Sequence, residues 1–408
     1  MPIKYIPFIP EPVEGQAVLG NFNRILKYKG ADDVSMVLQR GMPLYEMEKQ
    51  ETVGGNPDGN LVIRGECVSA CAYLKDRGIQ VDLVYIDPPF ASGADYAKKV
   101  YIRRNPKVAE AIAQAEQELD MDELKAFEEK MYGDVWDKEK YLNWMYENLM
   151  AIKSVMSETA SIYVHLDWHI GHYVKILLDE VFGEDNFRNE IIWQRANAHS
   201  DSKQGAVHYG RMHDVIFYYA LSDESPFNMQ YTPYDQAYID QYYKNVDPDT
   251  GRRYWLDNLQ GPGGASKGNP YYEVMGISRY WRYSRERMEQ LIAEGRIVQT
   301  APGTVPKYKR YLDEMPGKPV QDMWTDVKSL GGLGSIVEER NDYATQKPVA
   351  LLERIIKASS NEGMLVADFF GGSGVTAAVA GKLGRRFIHC DIGLNSIQTT
   401  RDRLKTDG

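Results

Sequence analysis
From residue 60 onward the chain alternates short apolar runs with amphipathic stretches. LVIRG (61–65) predicts a strand, SACAYLKDRG (69–78) a helix closed by Gly78, and VDLVYI (81–86) a buried strand that stops at Asp87-Pro88-Pro89. SIYVHL (161–166), NEIIWQ (189–194) and DVIFYYA (214–220) predict further strands of the same sheet, with a helix over HYVKILLDEVFG (172–183). Toward the end, KPVALLERIIKASS (347–360) predicts a helix, MLVADFF (364–370) a buried strand, GGSG (371–374) a tight turn, VTAAVAGKLG (375–384) a helix and RFIHCDI (386–392) a last strand. Strand, glycine turn, helix, strand is half of a doubly wound sheet, so the expected class is α/β with a doubly wound, mostly parallel sheet.

Between about 226 and 319 this rhythm breaks, and Tyr, Trp, Arg, Pro and Gly take over in segments such as YYKNVDPDTGRRYW and SRYWRYSRERM. Four parts result: an N-terminal extension over 1–59, one half of an α/β domain over 60–225, an inserted module over 226–319, and the second half over 320–408. The Ala- and Glu-rich stretch 106–130 reads as a solvated helical insertion.

Composition narrows the class. The 408 residues carry 43% hydrophobic side chains, enough for one large core with an appended module. No apolar run reaches membrane-spanning length and MPIKYIPFIPEPVEG lacks the layout of a signal peptide, so a cytoplasmic protein without a membrane partner is expected. Cys67, Cys71 and Cys390 have neither zinc-ligand nor redox-pair spacing; they predict structural thiols and no metal. A net charge of −10 argues against general affinity for nucleic acid, so any such contact must be a local patch. One stretch qualifies. Residues 279–310 hold eight basic side chains against three acidic, among them Arg279, Arg282, Arg285 and Arg287, interleaved with Tyr280, Trp281, Tyr283 and Tyr308. The segment 195–213 is the next candidate.

Two motifs carry chemistry. In ADFFGGSG, with Asp368 and Phe370 leading into Gly371, Gly372, Ser373 and Gly374, missing side chains let the backbone turn sharply and approach a ligand. Asp391 ends the next strand, where a carboxylate can accept hydrogen bonds from both ribose hydroxyls of an adenosine. The turn alone suits a dinucleotide equally. The second motif, Asp87-Pro88-Pro89-Phe90, follows the end of a parallel strand, where open α/β sheets place ligands. Its prolines stiffen a loop in which the Asp87 carboxylate and the Pro88 carbonyl present acceptors side by side. Acceptors suit the exocyclic amine of a base, whose lone pair is delocalised until its hydrogens are gripped. Such an amine can attack a sulfonium methyl in line, without a covalent enzyme intermediate, while Phe90 stacks on the flipped base.

DPPF after VDLVYI, with FGGSG after LVAD much later, resembles the beta class of amino-group DNA methyltransferases, whose order is catalytic motif, target recognition region, cofactor motif. Ala344-Thr345-Gln346-Lys347-Pro348 resembles that family's TQKP segment, and Arg64-Gly65-Glu66-Cys67 its GD-containing segment, with Glu66 where Asp is usual. Phe369-Phe370-Gly371-Gly372 likewise replaces the commoner Pro-Phe-Ala-Gly text. The resemblance covers about residues 60–220 and 320–405. It implies a Rossmann-like methyltransferase fold with an inserted target recognition module, S-adenosyl-L-methionine as cofactor, and Gln346, Lys347 and Glu66 among its contacts. It further implies transfer to adenine N6 of double-stranded DNA, the Asp-headed tetrapeptide favouring adenine over cytosine N4. A homodimer and a cognate restriction endonuclease are the other expected partners. An RNA base or a protein amide suits the same acceptor loop, but the large inserted module favours DNA.

Overall fold
The computed structural model describes residues 4–6, 18–19, 24–25, 38, 40–52, 59–89, 138–196, 207–330 and 346–407. Phe90, the helical insertion at 106–130, GGLG at 331–334 and Thr345 lie outside the described residues. The chain divides into two compact units, one of residues 1–228 with 321–408 and the other Met229–Val320.

The larger unit is built on an eight-stranded sheet. Its strands are β1 (Leu61–Arg64), β2 (Val81–Ile86), β3 (Met156–Leu166), β4 (Phe187–Gln194), β5 (His213–Ala220), β6 (Met323–Trp324), β7 (Leu365–Asp368) and β8 (Arg386–Asp391). Across the sheet they run β6-β4-β5-β3-β2-β7-β8-β1. Every neighbouring pair is parallel except those made by β5, which is antiparallel to both β3 and β4. The fold is thus a doubly wound, mostly parallel α/β sheet.

The helices are α1 (Cys67–Asp76), α2 (Lys138–Lys153), α3 (Gly171–Phe182), α4 (Val349–Ser359), α5 (Val375–Lys382) and α6 (Leu394–Asp407). α1 packs on α2 and α2 on α3, while α4 packs on α5 and α5 on α6. Alternate strand residues feed one large core. Val84, Ile86, Ile162, Val164 and Leu166 are fully buried with Leu74, Met145, Leu149 and Leu178 of the first three helices. Burying such a side chain contributes about 1.5–3 kcal/mol, which makes register a strong constraint. At the opposite end from the candidate site, the Asp82 carboxylate accepts from Ser157 Oγ (3.2 Å) and from the Leu365 N–H (2.9 Å), tying β2 to both its neighbours. All three cysteines are buried and free.

The smaller unit has a four-stranded antiparallel sheet, a hairpin of Tyr271–Val274 with Ile277–Tyr280, and a helix Arg285–Ala293 capped by Ser284. Trp281, Tyr272, Val274, Met288, Leu291, Leu259 and Ile297 form its own core.

Candidate active site
Register places the motif residues side by side along the carboxyl edge of the sheet. Val84 pairs with Ala367 on β7, and Asp368 with His389 on β8. These pairings bring the carboxyl ends of β2, β7 and β8 side by side, with Asp87 one residue past β2, the glycine turn following Asp368, and Asp391 closing β8. Asp391 pairs with Arg64 on β1, so Glu66 follows at the same edge.

Asp87 is only partly buried, and its two oxygens differ. Oδ2 accepts from the ammonium of Lys347, 260 residues away in sequence. Oδ1 is buried and has no hydrogen-bond partner among the described residues. A buried carboxylate oxygen without a donor is costly, so the arrangement leaves an acceptor ready for a ligand N–H. Pro88 is buried and Pro89 half-buried beside it. Lys347, read from the sequence as a cofactor contact, therefore has its charge on Asp87; Gln346 precedes it, half-buried.

The glycine turn is held from within. Asp368, buried, accepts from the Phe370 N–H (3.1 Å) and from Thr376 Oγ1 (2.6 Å). Burial, aided by the charges of Asp87 and Asp391, pushes its carboxyl up to about 7 against the pull of those two donors. Both Asp368 oxygens are thus engaged in shaping the turn. Asp391 accepts from the Gly372 N–H (3.0 Å) and from the Gly393 N–H (2.8 Å), the second at the start of α6. Its carboxylate clamps turn to helix as well as facing the edge.

The glycines have reasons the sequence did not disclose. A Cβ on Gly371 would lie 2.1 Å from His389 Nδ1, and one on Gly374, whose φ is +75°, 2.4 Å from Thr400 Oγ1. At these two positions the missing side chain also makes room for the protein's own interior, in addition to the sharp turn expected from the sequence. Gly372 has φ +50°, the left-handed region. Ser373 is buried, and its carbonyl accepts from Arg403 Nε (2.9 Å). His389 lies under the turn with Nε2 3.2 Å from both Ser396 Oγ and Thr400 Oγ1; burial depresses it to about 3, so the ring is neutral.

Aromatic residues of α2 pack against the glycine-turn motif. Phe370 meets Trp144 of α2 edge-on (5.6 Å between centroids), and Trp144 meets Tyr141 (5.6 Å). The Tyr141 hydroxyl is buried without a partner among the described residues. Burial, with the charges of Asp167 and Asp87, holds that phenol well above its ordinary range, so it stays protonated. Glu66 accepts from Ser69 Oγ (3.0 Å) at the start of α1.

In the smaller unit Arg279, Arg282, Arg285 and Arg287 are all exposed. Arg285 lies over the Tyr272 ring and Arg282 is 3.6 Å from Asp257. Part of the basic excess read from 279–310 is cancelled, because Arg296 pairs with Glu314, Lys309 with Asp247 and Arg310 with Asp257, carboxylates outside that window. Trp281, expected among surface aromatics, is fully buried, its Nε1–H donating to the Tyr272 carbonyl (2.8 Å). Tyr271 and Tyr280 form an exposed pair on the hairpin (4.9 Å).

Sequence reasoning also missed Tyr85, His165 and Asp214, which meet in a buried chain beside Asp87. The signal was present as a histidine inside an apolar strand (SIYVHL) and an aspartate opening another (DVIFYYA), since buried polar groups require partners.

A family model described as DNA methylase matches residues 81–402. The chain is 25% identical over 389 residues to the type II methyltransferase M.EcaI of Enterobacter cloacae, covering 93% of this chain and 77% of that protein. It is 27% identical over 356 residues to the Mod subunit of the type III restriction-modification enzyme StyLTI of Salmonella typhimurium, covering 82% of this chain and 52% of that one. It is 24% identical over 348 residues to the DNA adenine methyltransferase YhdJ of Escherichia coli, covering 85% and 83%. The chain thus spans about half the length of the Mod subunit it matches.

Proposed function
The chain belongs to the DNA methylase family, whose members use S-adenosylmethionine, and we propose that its target is the N6 amino group of adenine in double-stranded DNA. Similarity to a protein named as a DNA adenine methyltransferase favours adenine over cytosine N4. The observation that carries the reading is Asp87, a fixed carboxylate with one oxygen on Lys347 and the other buried and free to accept an N–H.

The residues at the edge fit the cofactor. Asp391 and Glu66 offer carboxylates to ribose hydroxyls, Phe370 offers an apolar face, and Gly371 to Gly374 with Gln346 complete the set that would hold it. Bound there, S-adenosylmethionine supplies the sulfonium methyl. Asp87 Oδ1 and the Pro88 carbonyl would grip the two amine hydrogens, drawing the nitrogen toward tetrahedral geometry and freeing its lone pair for in-line attack on the methyl; the methyl–sulfur bond breaks, the thioether leaves, and the nitrogen's surplus proton passes by way of Asp87 to solvent. Lys347 offsets the Asp87 charge and occupies the other oxygen, so the free one has a fixed direction. The base leaves the duplex to reach Asp87, and Phe90 stacks on it. Arg279, Arg282, Arg285 and Arg287 of the inserted unit meet phosphates or base edges. The name of one relative, a Mod subunit of a restriction-modification enzyme, extends the proposal to a cognate endonuclease as partner.

Asp87→Ala is expected to abolish methyl transfer while equilibrium titration with S-adenosylmethionine gives wild-type affinity. Loss of cofactor binding together with turnover would overturn this division of labour.

A further inference from the structure
A chain of buried polar side chains crosses three adjacent strands beside Asp87. Tyr85 lies two residues before Asp87 and so shares its face of β2. Its hydroxyl is 2.9 Å from His165 Nδ1 on β3, and His165 Nε2 is 3.2 Å from Asp214 Oδ2 on β5. Beyond the end of β4, Arg195 Nε lies 2.8 Å from Asp214 Oδ1. His165 is fully buried, Tyr85 2% exposed and Asp214 5% exposed, and the Trp193 indole meets the imidazole edge-on. Carboxylate oxygens only accept, so His165 donates from Nε2 and accepts the Tyr85 hydroxyl proton at Nδ1. Burial raises the Asp214 carboxyl, but His165, Arg195 and Lys347 together outweigh burial and hold it below its ordinary value. The ammonium on Asp87 is thus also felt by Asp214. Apolar side chains of similar volume would serve stability as well as a buried ionic chain, which directs attention to a role at the site.

We propose that Tyr85, His165 and Asp214 are positioning residues for methyl transfer, a hydrogen-bonded bar that fixes the exit of β2 and with it the place of the Asp87 carboxylate. The inference rests on the reading of Asp87 as the acceptor of the target amine. Reactive groups must be held within about 0.5 Å, and a displacement of about 1 Å costs up to roughly a hundredfold in rate.

The test is a double-mutant cycle on the full chain with S-adenosylmethionine and duplex DNA, using Tyr85→Phe, Asp214→Asn and both together, read as single-turnover rate and cofactor Kd. Each single variant is expected to slow transfer roughly ten- to hundredfold with the Kd unchanged. The double variant should be no slower than the slower single, because either change breaks the same bar. Unchanged rates, effects that multiply, or a Kd that weakens in step with the rate would each overturn the proposal. Should Asp214→Asn fail to fold, His165→Gln with Tyr85→Phe gives the same cycle. Wild-type and Asp87→Ala controls decide the underlying reading separately, since a wild-type protein inert on DNA defeats that reading first.

Discussion

Gly371→Ala tests how the glycine turn is held. The added methyl would sit 2.1 Å from His389 Nδ1 and 2.3 Å from Cε1, where ordinary contacts are about 3.5–4 Å. The buried ring must shift by more than about 1 Å to relieve the overlap. That movement breaks its hydrogen bonds to Ser396 and Thr400. Overpacking costs about 1–3 kcal/mol and each of the two broken bonds about 1 kcal/mol, so the variant should lose about 3–5 kcal/mol. At about 1–2 °C per kcal/mol for a chain of this length, the melting temperature should fall by roughly 3–10 °C. Cofactor affinity should fall with it, because the Gly371 N–H donates to the Cys390 carbonyl and the Gly371 carbonyl accepts from Gly374, so the whole turn moves. The assay is thermal melting with cofactor titration, repeated in a His389→Ala background. There the same alanine should cost less than about 1 kcal/mol and leave affinity near that of His389→Ala, since the obstructing ring is gone. A single variant with wild-type melting and affinity would refute the reasoning. So would full loss of affinity in the His389→Ala background, which would return Gly371 to a role in ligand approach.

His389, depressed to about 3 in the fold against an ordinary 6.5, is neutral when native but takes up a proton when unfolded below pH 6.5, so its share of stability is lost as pH falls from 6.5 toward 3. Urea midpoints across that window should show a shallower acid slope for His389→Gln than for wild type; equal slopes would remove His389 from the account. In the inserted unit, replacing Arg279, Arg285 and Arg287 together by Ala should weaken DNA binding and flatten the dependence of log K on log salt by up to about 0.9 for each phosphate left unneutralised, with cofactor affinity unmoved. Wild-type affinity and slope would make these arginines a solvated face.

What was legible followed from local pattern. Apolar runs of strand length and a glycine turn between strand and helix announced the doubly wound sheet, and Asp87 and the turn marked its carboxyl edge because strand ends are written locally. The reversed direction of β5 was not legible, since DVIFYYA reads the same either way along the sheet. Nor were partners chosen by tertiary packing: Lys347 reaches Asp87 across 260 residues, and the His389 ring sets the need for glycine at 371. The pairing of part of the basic excess in 279–310 was hidden for the same reason. Lys309 and Arg310 face Asp247 and Asp257 across the sheet, outside any local window. Trp281 carried no sequence mark of its burial, because an aromatic between two arginines reads as surface until the hairpin turns it inward.

This chain places a methyl group on adenine N6 in DNA. Incubation of the protein with isotopically labelled S-adenosylmethionine and, in parallel, genomic duplex DNA, RNA and protein, followed by mass spectrometry of the hydrolysates, tests it most directly. Labelled N6-methyladenine is expected from the DNA reaction and none with Asp87→Ala. Label found only in N4-methylcytosine, only in RNA or protein, or retained in full by Asp87→Ala would contradict it.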